Sequence, residues 1–88
     1  MVLHTVNKPS ALGKCLPFLD PDDCLLLIED GVELAITGTP PIPCRVLALS
    51  ADVQARGLEG RMAPGIVLAD YDGFVALTLE ADKVCSWF

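Results

Sequence analysis

The chain is poor in the side chains that most often announce chemistry. It has one His, one Trp and one Tyr in 88 residues. None of its four cysteines (Cys15, Cys24, Cys44, Cys85) stands in a C-x-x-C pair, the spacing on which structural zinc sites draw, and the single His4 adds little, so no metal site is read. No G-x-G-x-x-G follows the first strand and no Walker loop exists, which argues against a nucleotide site; no cofactor is expected. Lys and Arg number six against twelve Asp and Glu, for a net charge of −6. Those six (Lys8, Lys14, Arg45, Arg56, Arg61, Lys83) are scattered, whereas tight binding to a phosphate backbone rests on clustered cations. Direct contact with nucleic acid is therefore not expected. The longest apolar run, Cys24 to Ile28, has five residues, and a membrane-spanning helix needs about 20. Met1-Val2-Leu3-His4 has neither the basic nor the long apolar part of a secretory signal. A cytoplasmic protein with no membrane contact is the expectation.

What the chain has in excess is apolar surface. Hydrophobic residues make up 52% of it, and about 60% once the 7 Gly are counted, where an ordinary domain has about 45–50%. A chain this short makes one domain, residues 1–88, and buries only about 60–65% of its unfolded surface. The surplus points to a protein interface. A partner is the expected supplement to so small a core, because the cytosolic reading and the placement of Cys24 in an apolar run argue for reduced thiols over disulfides. Expressed alone, the chain is expected to self-associate or aggregate.

Along the chain, short apolar runs alternate with helix-like stretches. Val2 to Val6 reads as a strand. Ser10 is a suitable N-cap for a short helix, Ala11 to Leu16, ended by Pro17. Asp20-Pro21-Asp22-Asp23 is a turn. Cys24 to Glu29 reads as a strand apolar on both faces, the mark of a covered parallel strand. Asp30-Gly31 leads into a helix from about Val32 to Ile36, and Gly38 to Pro43 is a stiff loop. Arg45 to Leu49 is a third strand, and Ser50 can cap a helix to about Arg56, stopped by Gly57. Ile66 to Ala69 is a fourth strand, and Asp70 can cap a helix from Tyr71 to Leu79. Val84 to Trp87 is a last short strand. The alternation predicts an α/β fold, a mainly parallel sheet of about five short strands with helices on its faces. In such sheets ligands gather outside the carboxyl ends of the strands, here Asn7-Lys8, Glu29-Asp30, Ser50 and Asp70-Tyr71.

The candidate residues divide on local chemistry. Glu29-Asp30 and Asp70/Asp72 read as turn and capping residues rather than an acid–base pair. His4, mid-strand among apolar neighbours, reads as a hydrogen-bonded core or interface His. Cys24, Cys44 and Cys85 read as packing. Cys15 differs, because its short helix beside the turn allows partial exposure, while its place three residues after Leu12 equally allows it to face the core. Lys14 favours its thiolate, while the helix C-terminus and Asp20, Asp22 and Asp23 oppose it.

Five motifs in order resemble one family. Leu3-His4-Thr5-Val6-Asn7-Lys8 is similar to the opening of the TusB/DsrH family, and Leu25 to Gly31 to its second-strand motif. Val46-Leu47-Ala48-Leu49 with Asp52 and Ala55-Arg56-Gly57 resembles its next segment. Asp70 to Thr78 resembles its D-Y-x-x-F-V-x-L-T helix, and Val84 to Trp87 its end. The resemblance implies a three-layer α/β/α, flavodoxin-like fold. It also implies a cytoplasmic α2β2γ2 hexamer with TusC/DsrF-like and TusD/DsrE-like subunits, the latter holding the principal sulfur-carrying cysteine. One branch relays persulfide sulfur from TusA to TusE, toward 2-thiolation of the tRNA wobble uridine. The other serves dissimilatory sulfur oxidation; a third reading is a scaffold without cysteine chemistry. Cys15 stands where the sulfur-oxidation branch has a cysteine, which makes it the accessory persulfide candidate. The segment before the third strand is shorter than the family's and rich in Pro.

Overall fold

The computed structural model describes residues Met1–Phe88. Its centre is a sheet of five strands, β1 (Val2–Val6), β2 (Cys24–Leu27), β3 (Arg45–Leu49), β4 (Val67–Ala69) and β5 (Lys83–Trp87), in the order β4-β3-β2-β1-β5. Every pairing is parallel, so the sheet is wholly parallel. The central position of β2 follows from its composition. All four of its residues are fully buried, as a strand must be when both faces are covered and both edges are paired.

Each crossover carries helix. The first runs through 3-10 turns at Pro9–Ala11 and Leu16–Phe18 on either side of α1 (Leu12–Cys15), and the second through a 3-10 stretch, Glu29–Glu33, into α2 (Leu34–Thr37). The third carries α3 (Ser50–Ala55) and the fourth α4 (Tyr71–Glu80). The first three crossovers step β1 to β4 in one direction. Right-handed connection puts them on one face, where Leu12, Cys15, Leu34, Ala35 and Val53 share a core with Val6, Leu25, Leu27 and Ala48. The fourth returns to the far side of β1, so α4 lies on the opposite face and Leu77 packs with Leu3, Cys24 and Leu26. This is the three-layer arrangement the family resemblance implies, with unequal layers.

Local details differ from the sequence reading at the helix ends. Ser10 caps nothing, because it lies inside the Pro9–Ala11 turn, which Lys8 enters from an extended conformation. Pro17 does not end the helical path either. It sits in the first turn of the Leu16–Phe18 segment, where a missing N–H costs nothing. Ser50 is the first residue of α3, and its hydroxyl makes no cap bond. Asp70 does cap: its Oδ1 accepts the Gly73 N–H at 2.7 Å. Gly57 ends α3 at φ +64°, a conformation glycine adopts freely.

Candidate functional site

Where β1 meets β5, the register sets His4 opposite Cys85 and Val6 opposite Trp87. Partners in a parallel sheet share a face, so the His4 ring, the Cys85 thiol and the Trp87 indole lie on one side. Asp23, the residue before β2, reaches the same place. His4 is 2% exposed and Asp23 6%. His4 Nε2 lies 3.1 Å from Asp23 Oδ2, and the Trp87 indole N–H donates to His4 Nδ1 at 3.1 Å. An indole N–H can only donate. Nδ1 is therefore the acceptor, and Nε2 carries the proton that goes to Asp23. One tautomer satisfies all three groups.

Asp23 is more than a partner for the ring. Its Oδ1 accepts the Val2 N–H at 2.9 Å, and its Oδ2 also accepts the Asp20 N–H at 3.1 Å. Burial alone pushes this carboxyl up. The two backbone donors and the His4 ring outweigh burial and hold it below the ordinary Asp value. Phe18, 63% exposed, stacks on Trp87 with ring centroids 5.4 Å apart. These side chains, with Val2, Asp20, Lys83 and Cys85, line a cleft of about 420 Å³. Cys85 is half-buried there.

Cys15 is not in that cleft surface, and the partial exposure its short helix allows is not found. It is fully buried in the core under α1. Residues three apart share a helix face, and Leu12 and Cys15 both turn inward. Burial is the main reason its thiol is pushed up to about 11, and the nearby Cys44, Cys85 and Asp23 push the same way. A thiol so placed is almost wholly protonated at neutral pH, and the thiolate is the nucleophile. Cys24, also buried, packs on the α4 face, and burial raises it too. Cys44 is half-buried behind the Pro-rich loop and is likewise raised by burial.

The carboxyl ends of the strands are structural in what they show. The Glu29 N–H donates to Asp52 Oδ2 at 2.7 Å. Arg56 donates to Asp30 Oδ1 from Nε at 3.2 Å and from Nη2 at 2.9 Å. Gly31 is required there, because a Cβ on it would stand 2.1 Å from the Val6 carbonyl oxygen. The bland reading of Glu29, Asp30 and Asp70 as turn and capping groups therefore fits, with Glu29 held at φ +50°. The titratable cluster lies elsewhere, along β1 and β5, and not at the carboxyl ends. Sequence reasoning placed His4 correctly as a bonded interior residue. It did not find Asp23 or Trp87 as its partners, which come from positions 19 and 83 residues away.

Comparison with known proteins agrees with this architecture. The model of the family described as DsrH like protein matches residues 6–84. Protein TusB of Escherichia coli strain K12 is 36% identical over 95 residues, covering 98% of this chain and all of its own length. Protein TusB of Escherichia coli O81 strain ED1a aligns equally well. The crystal structure of the ychN protein from E. coli superposes with a TM-score of 0.77 at 18% identity, covering 97% of this chain and 96% of its own. The solution structure of protein Tm0979 from Thermotoga maritima gives 0.74 at 24% identity, covering 91% and 93%. At those identities the two structures speak for the fold. The family match and the full-length TusB likeness speak for descent, and the chain belongs to the DsrH-like family that includes TusB.

Proposed function

We propose that this chain is the TusB-type subunit of a cytoplasmic sulfur-relay heterohexamer, passing persulfide sulfur toward 2-thiolation of the tRNA wobble uridine. The observation that carries the reading is the likeness to TusB along the whole of both chains. Its companions are TusC- and TusD-like subunits, with TusA- and TusE-like carriers delivering and receiving sulfur through the complex. Persulfide transfer is attack of a thiolate on the outer sulfur of a donor persulfide. Nothing around Cys15 assists that attack: it is buried, and its thiol is pushed up to about 11. The family resemblance puts the principal carrier on the TusD-like partner, and this chain shapes and stabilises the relay. Cys15 takes an accessory persulfide role only if the assembled complex opens its core. A net charge of −6 suits a subunit that leaves tRNA to others.

The test is genetic and chemical. In a strain lacking its own TusB, this chain expressed with its TusC- and TusD-like companions should restore 2-thiouridine in tRNA. Cys15→Ser should restore it equally well, and mass mapping of the sulfur-loaded complex should find the added sulfur on the TusD-like chain. No restoration by the wild type sinks the pathway assignment. Added sulfur on Cys15, with loss of transfer in Cys15→Ser, sinks the scaffold role.

A further inference from the structure

A parallel sheet is stable when both faces are covered, and this one is covered unequally. Three crossovers lie over the first face and α4 alone over the second. One helix is about 10 Å across, and five strands set about 4.8 Å apart are far wider. Val67 on β4 is left 60% exposed. Beside α4 runs a groove of about 510 Å³, with Leu47 and Ala69 on its floor and Gly73 and Ala76 on its α4 wall.

We propose that a helix of a partner subunit lies in this groove alongside α4 and completes the second helical layer. The inference rests on the reading of the chain as a subunit of a complex. Three features shape the occupant. Gly73 and Ala76 are small, so a second helix can approach α4 at the 8–10 Å, roughly, of ordinary helix packing. The floor is apolar, so its inner stripe is apolar. Residues 62–82 contain four acidic side chains and no basic one; two of these, Asp70 and Glu80, line the groove against a single base, Arg45 from β3, which leaves its lining net negative. The partner helix therefore carries Lys or Arg beside them. A second copy of this chain would set four acids against two Arg45 side chains in the seam, a net like charge that opposes self-pairing. The outer side of α4 continues the surface, with Tyr71, Val75 and Leu79 exposed.

The test uses the chain co-expressed with its TusC- and TusD-like companions. Val67→Glu and Ala76→Glu alter exposed positions, and melting temperatures of the isolated chains, read at dilutions where the wild type is monomeric, check that the fold persists. Each should weaken assembly by about tenfold or more, since a carboxylate would be buried unpaired. The wild-type association rate should fall as salt rises. Hydrogen exchange on the wild-type complex gives a reading independent of any variant: amides of β4 and α4 should exchange more slowly than in the isolated chain. Folded variants that assemble like the wild type, or unchanged exchange in α4, overturn the placement while leaving the subunit reading intact. A wild-type chain that binds neither companion overturns both.

Discussion

Asp23 is the residue whose replacement the structure makes most consequential. Its two oxygens take three donors: the Val2 amide, the Asp20 amide and the His4 ring. In Asp23→Asn the shape survives but one oxygen becomes an NH2. If the remaining oxygen keeps Val2, the new amide faces two donors. His4 cannot turn to accept, because the Trp87 indole already donates to its other nitrogen. A buried donor left without a partner costs about 1–3 kcal/mol. The Asp20 amide borders the open cleft, where water can replace part of the loss, so we expect about 2–4 kcal/mol in all. That is a large share of the ~4–13 kcal/mol available to a chain of this length. At ~4–8 °C per kcal/mol, the melting temperature should fall by about 8–32 °C. The pH dependence follows from the carboxyl being held below its ordinary value in the fold. A lowered folded-state pKa gives stability that is complete above the unfolded-state value and lost as pH falls through the folded one. The difference between wild type and Asp23→Asn should therefore be full at neutral pH and shrink below the ordinary value of 3.8. Thermal melts of both proteins across that range decide it. A gap of only a degree or two, or one that does not narrow in acid, refutes the account.

Three further outcomes are expected. With a small alkylating reagent, Cys85 and Cys44 should react first, and Cys15 and Cys24 only as fast as the chain unfolds; peptide mass mapping checks this, and rapid labelling of Cys15 contradicts its burial. Trp87→Phe removes the donor to His4 Nδ1 and should cost about 1 kcal/mol. Asp23 still accepts from Nε2, so the Nε2–H tautomer should persist, which the imidazole nitrogen shifts would check. Gly31→Ala sets a methyl against the Val6 carbonyl, a backbone atom that cannot rotate away. Urea unfolding should show a loss of about 3 kcal/mol, and a neutral result would mean that the β1–β2 junction yields more readily than its geometry implies.

The strands were legible because they are apolar runs of the right length, and the unbroken Cys24–Leu27 run told of a strand covered on both faces. Helix ends were less so. Ser10 and Ser50 carry good capping chemistry, yet each lies inside a helical turn, because the chain enters that turn at Lys8 and Leu49. Asp70, with the same kind of oxygen, does cap. Local sequence names the residues able to cap and leaves open which one the entering strand will align. The candidate site was still less legible. Trp87 meets His4 only because β1 pairs with β5 across a crossover that spans the whole sheet, and Asp23 only because β2 pairs with the other edge of β1; no spacing in the chain encodes either register. The cysteines make the same point in chemical terms. Lys14 beside Cys15 suggests a reactive thiol, and the following acids suggest a poor one, but both are corrections to a larger quantity. Leu12 and Cys15 turn the same way into the core, and the resulting loss of water outweighs every nearby charge in setting the thiol. Burial is a property of the packed layers and is not written beside the residue. Cys85, which nothing local distinguishes, ends half-open in the cleft.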